Sequence, residues 1–162
     1  MKIASRSAEE SKKLAEFLAE VLKRRGQSFC IALDGTLGTG KTCFTQGLAN
    51  GLGVEESVVS PSFAIVHEYQ ASLNLLHSDW YRLEEGEMIH LGLEEQIEDW
   101  DGVVVIEWAN RFPEVLPLDY LSIVMTMAGE KRYWEIQLKG DSEEFQSILD
   151  EWMQRIPEEN RL

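Results

Sequence analysis

Residues 35–42 read Gly-Thr-Leu-Gly-Thr-Gly-Lys-Thr, a full match to G-x-x-x-x-G-K-[ST]. No other feature of the chain restricts its fold as much. The glycines let the backbone curl so that successive N–H groups point inward and cradle phosphate oxygens. The signature carries this meaning only between a strand and a helix, and both are expected here. Ser28–Leu33 (SFCIAL) is a short apolar run read as a buried strand, and a helix is predicted from about Lys41 to Gly51. Leu37, Gly38, Thr39 and Gly40 then form the cradle, with the positive end of the helix dipole behind it. Lys41 can reach the β- and γ-phosphates as a point charge, and the Thr42 hydroxyl can ligate Mg²⁺. No N-K-x-D-type guanine-reading motif follows, and Asn110-Arg111-Phe112-Pro113 lacks its acid. ATP is therefore expected over GTP.

Such a site needs a second carboxylate at the end of a neighbouring strand to hold Mg²⁺. Val103–Ile106 is four consecutive β-branched residues, the mark of a strand covered on both faces. Glu107 follows immediately, at the strand edge where ligands bind in open α/β sheets. Trp108 comes next and suits either rim packing or a place beside the nucleotide. The other dense cluster is His77-Ser78-Asp79-Trp80-Tyr81-Arg82. Asp79 sits just past the apolar run Leu73–Leu76 and can orient an attacking water or hold Mg²⁺ through water. Arg82 can neutralise developing phosphate charge or pair with a nearby acid. His67 and His90 show no partner pattern.

The remaining elements follow from spacing. Ser7-Ala8-Glu9-Glu10 reads as a capping box opening a helix whose apolar face is Leu14, Phe17, Leu18, Val21 and Leu22, with Gly26 as its stop. Strands are predicted at Phe63–Val66 and Leu73–His77, joined as a hairpin or meander. Glu84–Trp100 is expected to mix helix and loop. Tyr120–Met127 and Tyr133–Leu138 are read as two more strands. A capping box of Asp141 and Glu144 is expected to open a last helix with Phe145, Ile148, Leu149, Trp152 and Met153 on its apolar face, ending near Pro157. The expected fold is one α/β domain over residues 1–162, a P-loop NTPase-like three-layer sandwich with a mixed sheet including antiparallel strands.

Composition narrows the partners. There are 15 Lys+Arg against 29 Asp+Glu, a formal net charge of -14. A protein gripping DNA or RNA over a broad face needs a basic footprint, and an anionic membrane repels the same excess. The N-terminal residues MKIASRSAEESKK have no apolar signal region and no stretch is long and apolar enough to span a bilayer. Cys30 and Cys43 fall in different elements without C-x-x-C or C-x-x-H spacing. Two reduced thiols in a cytoplasmic protein are expected.

Taken in order, the motifs resemble the TsaE (YjeE) family, the small ATPase of bacterial threonylcarbamoyladenosine synthesis. The series runs GTLGTGKT, Leu52-Gly53, Ser60-Pro61-Ser62-Phe63, Tyr69, HSDWYR at 77–82 and Glu107-Trp108. It extends from the first helix to about Arg132. The resemblance implies ATP binding and slow hydrolysis. It also implies association with a TsaB–TsaD pair that modifies N6 of adenosine 37 in tRNA, so that tRNA is met only indirectly. By position, Lys41 and Thr42 hold phosphates and Mg²⁺, Glu107 completes the metal site and Asp79 is the functional aspartate. Ser60–Phe63, with Ser62, is a switch-like loop near the γ-phosphate, Trp108 lies beside the nucleotide, and Ser11 and Arg132 match weaker nucleotide-contacting positions. The chain departs from the family pattern at Thr36 (commonly Asp), Thr39 (Ala), Ser62 (Thr) and Trp80 (Leu).

Two other classes fit the phosphate loop. A small-molecule kinase commonly closes an Arg-bearing lid over its phosphates, yet residues 83–110 hold no Lys or Arg. A non-hydrolytic, nucleotide-dependent scaffold would carry the same binding residues.

Overall fold

In the computed structural model, which describes residues 1–162, seven strands and five α-helices follow one another along the chain. They are β1 (Lys2–Ser5), α1 (Ala8–Arg25), β2 (Phe29–Asp34), α2 (Lys41–Leu52), β3 (Val66–Tyr69), β4 (Leu75–Asp79), α3 (Glu85–His90), α4 (Leu93–Asp99), β5 (Val103–Glu107), β6 (Tyr120–Ala128), β7 (Lys131–Lys139) and α5 (Glu143–Arg155). They build one sheet in the order β1-β7-β6-β2-β5-β4-β3. The four central strands β6, β2, β5 and β4 run parallel, while β7, β1 and β3 join antiparallel at the two flanks. The sandwich and its mixed sheet are as expected from the sequence.

Alternation along the central strands explains the layers, since successive side chains point to opposite faces. Phe29, Ile31, Leu33, Val103 and Val105 join the larger core with α1, α2 and α5. Cys30, Ala32, Val104 and Ile106 join the smaller core with Leu83, Met88, Leu93 and Ile97 from the α3–α4 side. Helices α1 and α2 approach unusually closely. A side chain carbon at Gly47 would stand 2.3 Å from the Lys12 carbonyl oxygen. No helix is long and apolar enough to cross a membrane.

One strand is added to those expected, and four local expectations are corrected. Strand β1 carries only Ile3 and Ser5 as buried residues, too short a signal to stand out. The strand predicted at Phe63–Val66 starts only at Val66. The Pro61 carbonyl captures the Ile65 N–H at 2.7 Å, Ile65 takes a left-handed φ of 68°, and Phe63 is exposed. The next strand slides to Leu75–Asp79 because pairing with β5 fixes it, Leu75 opposite Val103 and Asp79 opposite Glu107. At α5 the cap is Ser142, whose Oγ accepts from Phe145 N, while Asp119 receives the N–H groups of Asp141 and Ser142. In α1, Ser7 caps Glu10 N as expected, but Glu10 reaches back to Arg6 and not to the cap residue.

Candidate functional site

Parallel strands deliver their last residues to one edge of the sheet. In three of the four these are acids: Asp34 ends β2, Glu107 ends β5 and Asp79 ends β4, while β6 ends at Ala128. Leu33 and Asp79 flank Glu107 in register. The phosphate loop leaves β2 at the same edge and enters α2 through Gly40, at φ 105°, a conformation that side chains rarely adopt. The first turn of α2 has no side-chain cap, so its leading N–H groups are free for a ligand. A cleft of about 680 Å³ opens there. Its walls are Leu37, Gly38, Gly40, Lys41, Thr42 and Cys43 from the loop and helix, Ser60 and Ser62, Asp79, Tyr81 and Arg82, and Glu107 and Trp108.

Within it, Lys41 Nζ donates to the carbonyls of Gly35 (2.5 Å) and Thr36 (3.0 Å) and lies 4.4 Å from the centre of the Trp108 ring. Burial lowers the Lys41 pKa, and the carboxylates of Glu107, Asp79 and Asp34 oppose that shift. Burial also raises the Asp34 carboxyl, against the Asn110 N–H and the Lys41 charge. Thr42 donates to Glu107 Oε1 at 3.3 Å, and Glu107 Oε2 accepts from His77 Nε2 at 2.8 Å. Asp79 accepts from Ser60 Oγ and from the Tyr81 N–H, each at 2.9 Å. Ser62 stands 3.1 Å from Ser60. Arg82 stacks on Phe63, 4.3 Å from its ring centre. A second depression, about 620 Å³, lies beside α5, where Arg25 is already paired with Glu151; it gathers none of these groups.

The structure thus brings Leu37, Gly38, Gly40, Lys41, Thr42, Ser62, Asp79, Glu107 and Trp108 to one cleft. Thr39 is buried inside the loop and bonds the Thr36 carbonyl at 2.9 Å. Arg132 packs over the loop, its Nε 3.4 Å from where a Gly40 side chain would begin. Ser11 is not brought there: it is buried against Ser5, Oγ to Oγ 2.5 Å. Trp80 points into the smaller core, with its N–H on Ser78 Oγ at 3.0 Å and its ring edge-on to Phe112. Three contributors escaped sequence reading: Asp34, His77 and Arg111, which donates to the carbonyls of Trp80 and Tyr81 and ties that loop down. Two signals were available: Asp34 directly follows the Ser28–Leu33 run, and His77 is a polar residue closing the Leu73–His77 strand.

The oxygen donors fit a hard divalent cation that keeps waters and takes the rest of its shell from substrate phosphates. No group of three or more His, Cys, Asp or Glu side chains forms a protein cage for a metal.

Comparison with known proteins gives a consistent picture. The family model described as "Threonylcarbamoyl adenosine biosynthesis protein TsaE" matches residues 5–137. The tRNA threonylcarbamoyladenosine biosynthesis protein TsaE of Bacillus subtilis (strain 168) is 42% identical over 123 residues, covering 75% of each chain. Its counterpart in Nostoc sp. is 43% identical over 104 residues, 62% of this chain and 64% of that protein. The crystal structure of YdiB from Bacillus subtilis superposes with a TM-score of 0.77 at 29% identity, covering 96% of this chain and 95% of that one.

Proposed function

The chain belongs to the TsaE family of threonylcarbamoyl adenosine biosynthesis proteins, and on that footing we propose that it is the ATP-binding, slowly ATP-hydrolysing subunit of this tRNA modification. The observation that carries the reading is the convergence of Lys41, Thr42, Asp79 and Glu107 on the cleft at the mouth of the phosphate loop. The uncapped N-terminus of α2 and the loop N–H groups bind the phosphates. Lys41 moves from the loop carbonyls to the β- and γ-phosphates. Thr42 and Glu107 would hold Mg²⁺, which would neutralise charge on those phosphates. Asp79, with Ser60 and Ser62 beside it, orients the attacking water. Trp108 flanks the nucleotide, and Arg132 reaches it from over Gly40.

The transfer chemistry itself belongs to a TsaB–TsaD-type complex in the cytoplasm, and tRNA is met through that complex. The acid excess supports this division. Glu84, Glu85, Glu87, Glu94, Glu95, Glu98, Asp99 and Asp101 are all exposed, on and around α3 and α4, with Ile89 and Leu91 exposed among them. That ridge repels tRNA and suits a basic partner surface. The experiment is a pull-down with the partner pair in ATP and in ADP, at low and high salt, beside a phosphate-release assay. The expected result is nucleotide-dependent association that weakens with salt and turnover that changes when the pair is added. A purified chain that neither binds ATP nor associates with the pair would overturn the reading.

A further inference from the structure

His77 is wholly buried on the interior face of β4, opposite Val105 of β5. Leu75, two residues earlier on the same face, belongs to the larger apolar core. An imidazole there is costly unless its polar atoms are bonded. One is: Nε2 lies 2.8 Å from Glu107 Oε2. The other, Nδ1, is buried without a partner. A carboxylate can only accept, so Nε2 carries a proton, and Glu107 is the ring's one hydrogen-bond partner. The Glu107 side chain is itself only 3% exposed, and its second oxygen, Oε1, is the one facing Thr42.

From this geometry we infer that His77 is a positioning residue for the metal half of the site. The inference rests on the proposed Mg²⁺–ATP reading. By holding Oε2, the Nε2–H fixes the carboxylate rotation and leaves Oε1 beside the Thr42 hydroxyl, so that both oxygens would be available to the cation. His77 touches neither nucleotide nor metal. Outer partners of this kind typically change metal affinity about 10–100-fold when removed.

The test measures affinity for a non-hydrolysable ATP analogue by calorimetry, with Mg²⁺ and with EDTA, in wild type, His77→Gln and His77→Asn. The Gln amide reaches the Nε2 position, whereas the Asn amide stops near Nδ1. Mg²⁺ should tighten binding to wild type and His77→Gln alike. The tightening should fall about tenfold in His77→Asn, with affinity in EDTA unchanged. Both variants lose the same ring packing, so a purely structural role would lower both thermal midpoints and spare the Mg²⁺ difference. If the Asn variant fails to fold, His77→Leu, which fills the site without a donor, should show the same loss. Wild-type behaviour of the donor-less variant, or equal loss in His77→Gln, overturns the inference alone. Absence of Mg²⁺-dependent binding in wild type overturns the inference together with the reading beneath it.

Discussion

Ser60 donates its hydroxyl hydrogen to Asp79 Oδ2 across 2.9 Å, joining the loop before β3 to the end of β4. The other oxygen of the carboxylate accepts the Tyr81 N–H. Asp79 is therefore held from two sides in the cleft wall, the arrangement a group needs if it is to place a water. Asp79→Ala should cut phosphate release by about a hundredfold or more and leave nucleotide affinity nearly unchanged, the pattern of a contact made only in the transition state. It should also cost about 1–2 kcal/mol of stability, because two donors lose their acceptor. Single-turnover phosphate release, nucleotide titration and denaturant melts check the three parts.

Lys41 spans the loop it belongs to, with two carbonyl partners and an indole beneath it. Lys41→Met removes the charge that meets the phosphates, and ATP affinity should drop about tenfold to a hundredfold. Folding stability should move by less than about 1 kcal/mol, since relief of the buried cation offsets the two lost hydrogen bonds. Calorimetry with ATP and a thermal melt of the free protein separate the two effects.

The sequence made the central strands legible because β-branched runs and a phosphate loop leave few alternatives. Glu107 and Asp79 could be assigned to strand ends without coordinates. The register that sets them side by side could not, since it depends on β4 pairing with β5. The strand expected at Phe63–Val66 begins only at Val66 for a related reason: an apolar run looks like a strand until one carbonyl, that of Pro61, takes the Ile65 N–H a strand would use. Ser11 was assigned by resemblance alone, and its burial against Ser5 arises from β1, a strand too short to read.

Gly47 stands inside α2, where Ala would ordinarily improve helix propensity by about 1 kcal/mol. The added carbon, however, would meet Lys12 backbone at 2.3 and 2.6 Å, and backbone cannot swing aside as a side chain can. Overpacking therefore wins. Gly47→Ala should be less stable than wild type by about 1–3 kcal/mol, and Gly26→Ala, which meets nothing within 4 Å, should lose only the left-handed cap. Urea denaturation of the two variants compares clash with backbone conformation.

Glu10 accepts from the Arg6 guanidinium and from the Arg6 N–H, and the Arg6 side chain is the largest cause of its pKa falling from 4.5 to about 2. The folded state thus favours the charged form. Its contribution is complete above pH 4.5 and is lost as pH falls toward about 2. Arg6 is exposed and Glu10 is half-buried, so solvent screens the pair and the effect is small and weakens with salt. Thermal midpoints of wild type and Glu10→Gln should differ by a constant amount above pH 4.5 and converge below it.

The two cysteines are free and stand in unlike surroundings. Burial alone pushes the Cys30 thiol up to about 12. Cys43 is raised chiefly by burial, but the charges of Lys12 and Arg132 pull it back, and it lines the cleft. Since the thiolate is the reactive form, an aromatic disulfide reagent at about pH 8 should modify one thiol of the native protein slowly, and Cys43→Ser should abolish that reaction. The second thiol, Cys30, should react only after unfolding. ATP should slow the native reaction, because Cys43 follows Thr42 in the first turn of α2, where the phosphates bind. Equal rates with and without saturating ATP would mean that the nucleotide leaves this wall of the cleft open.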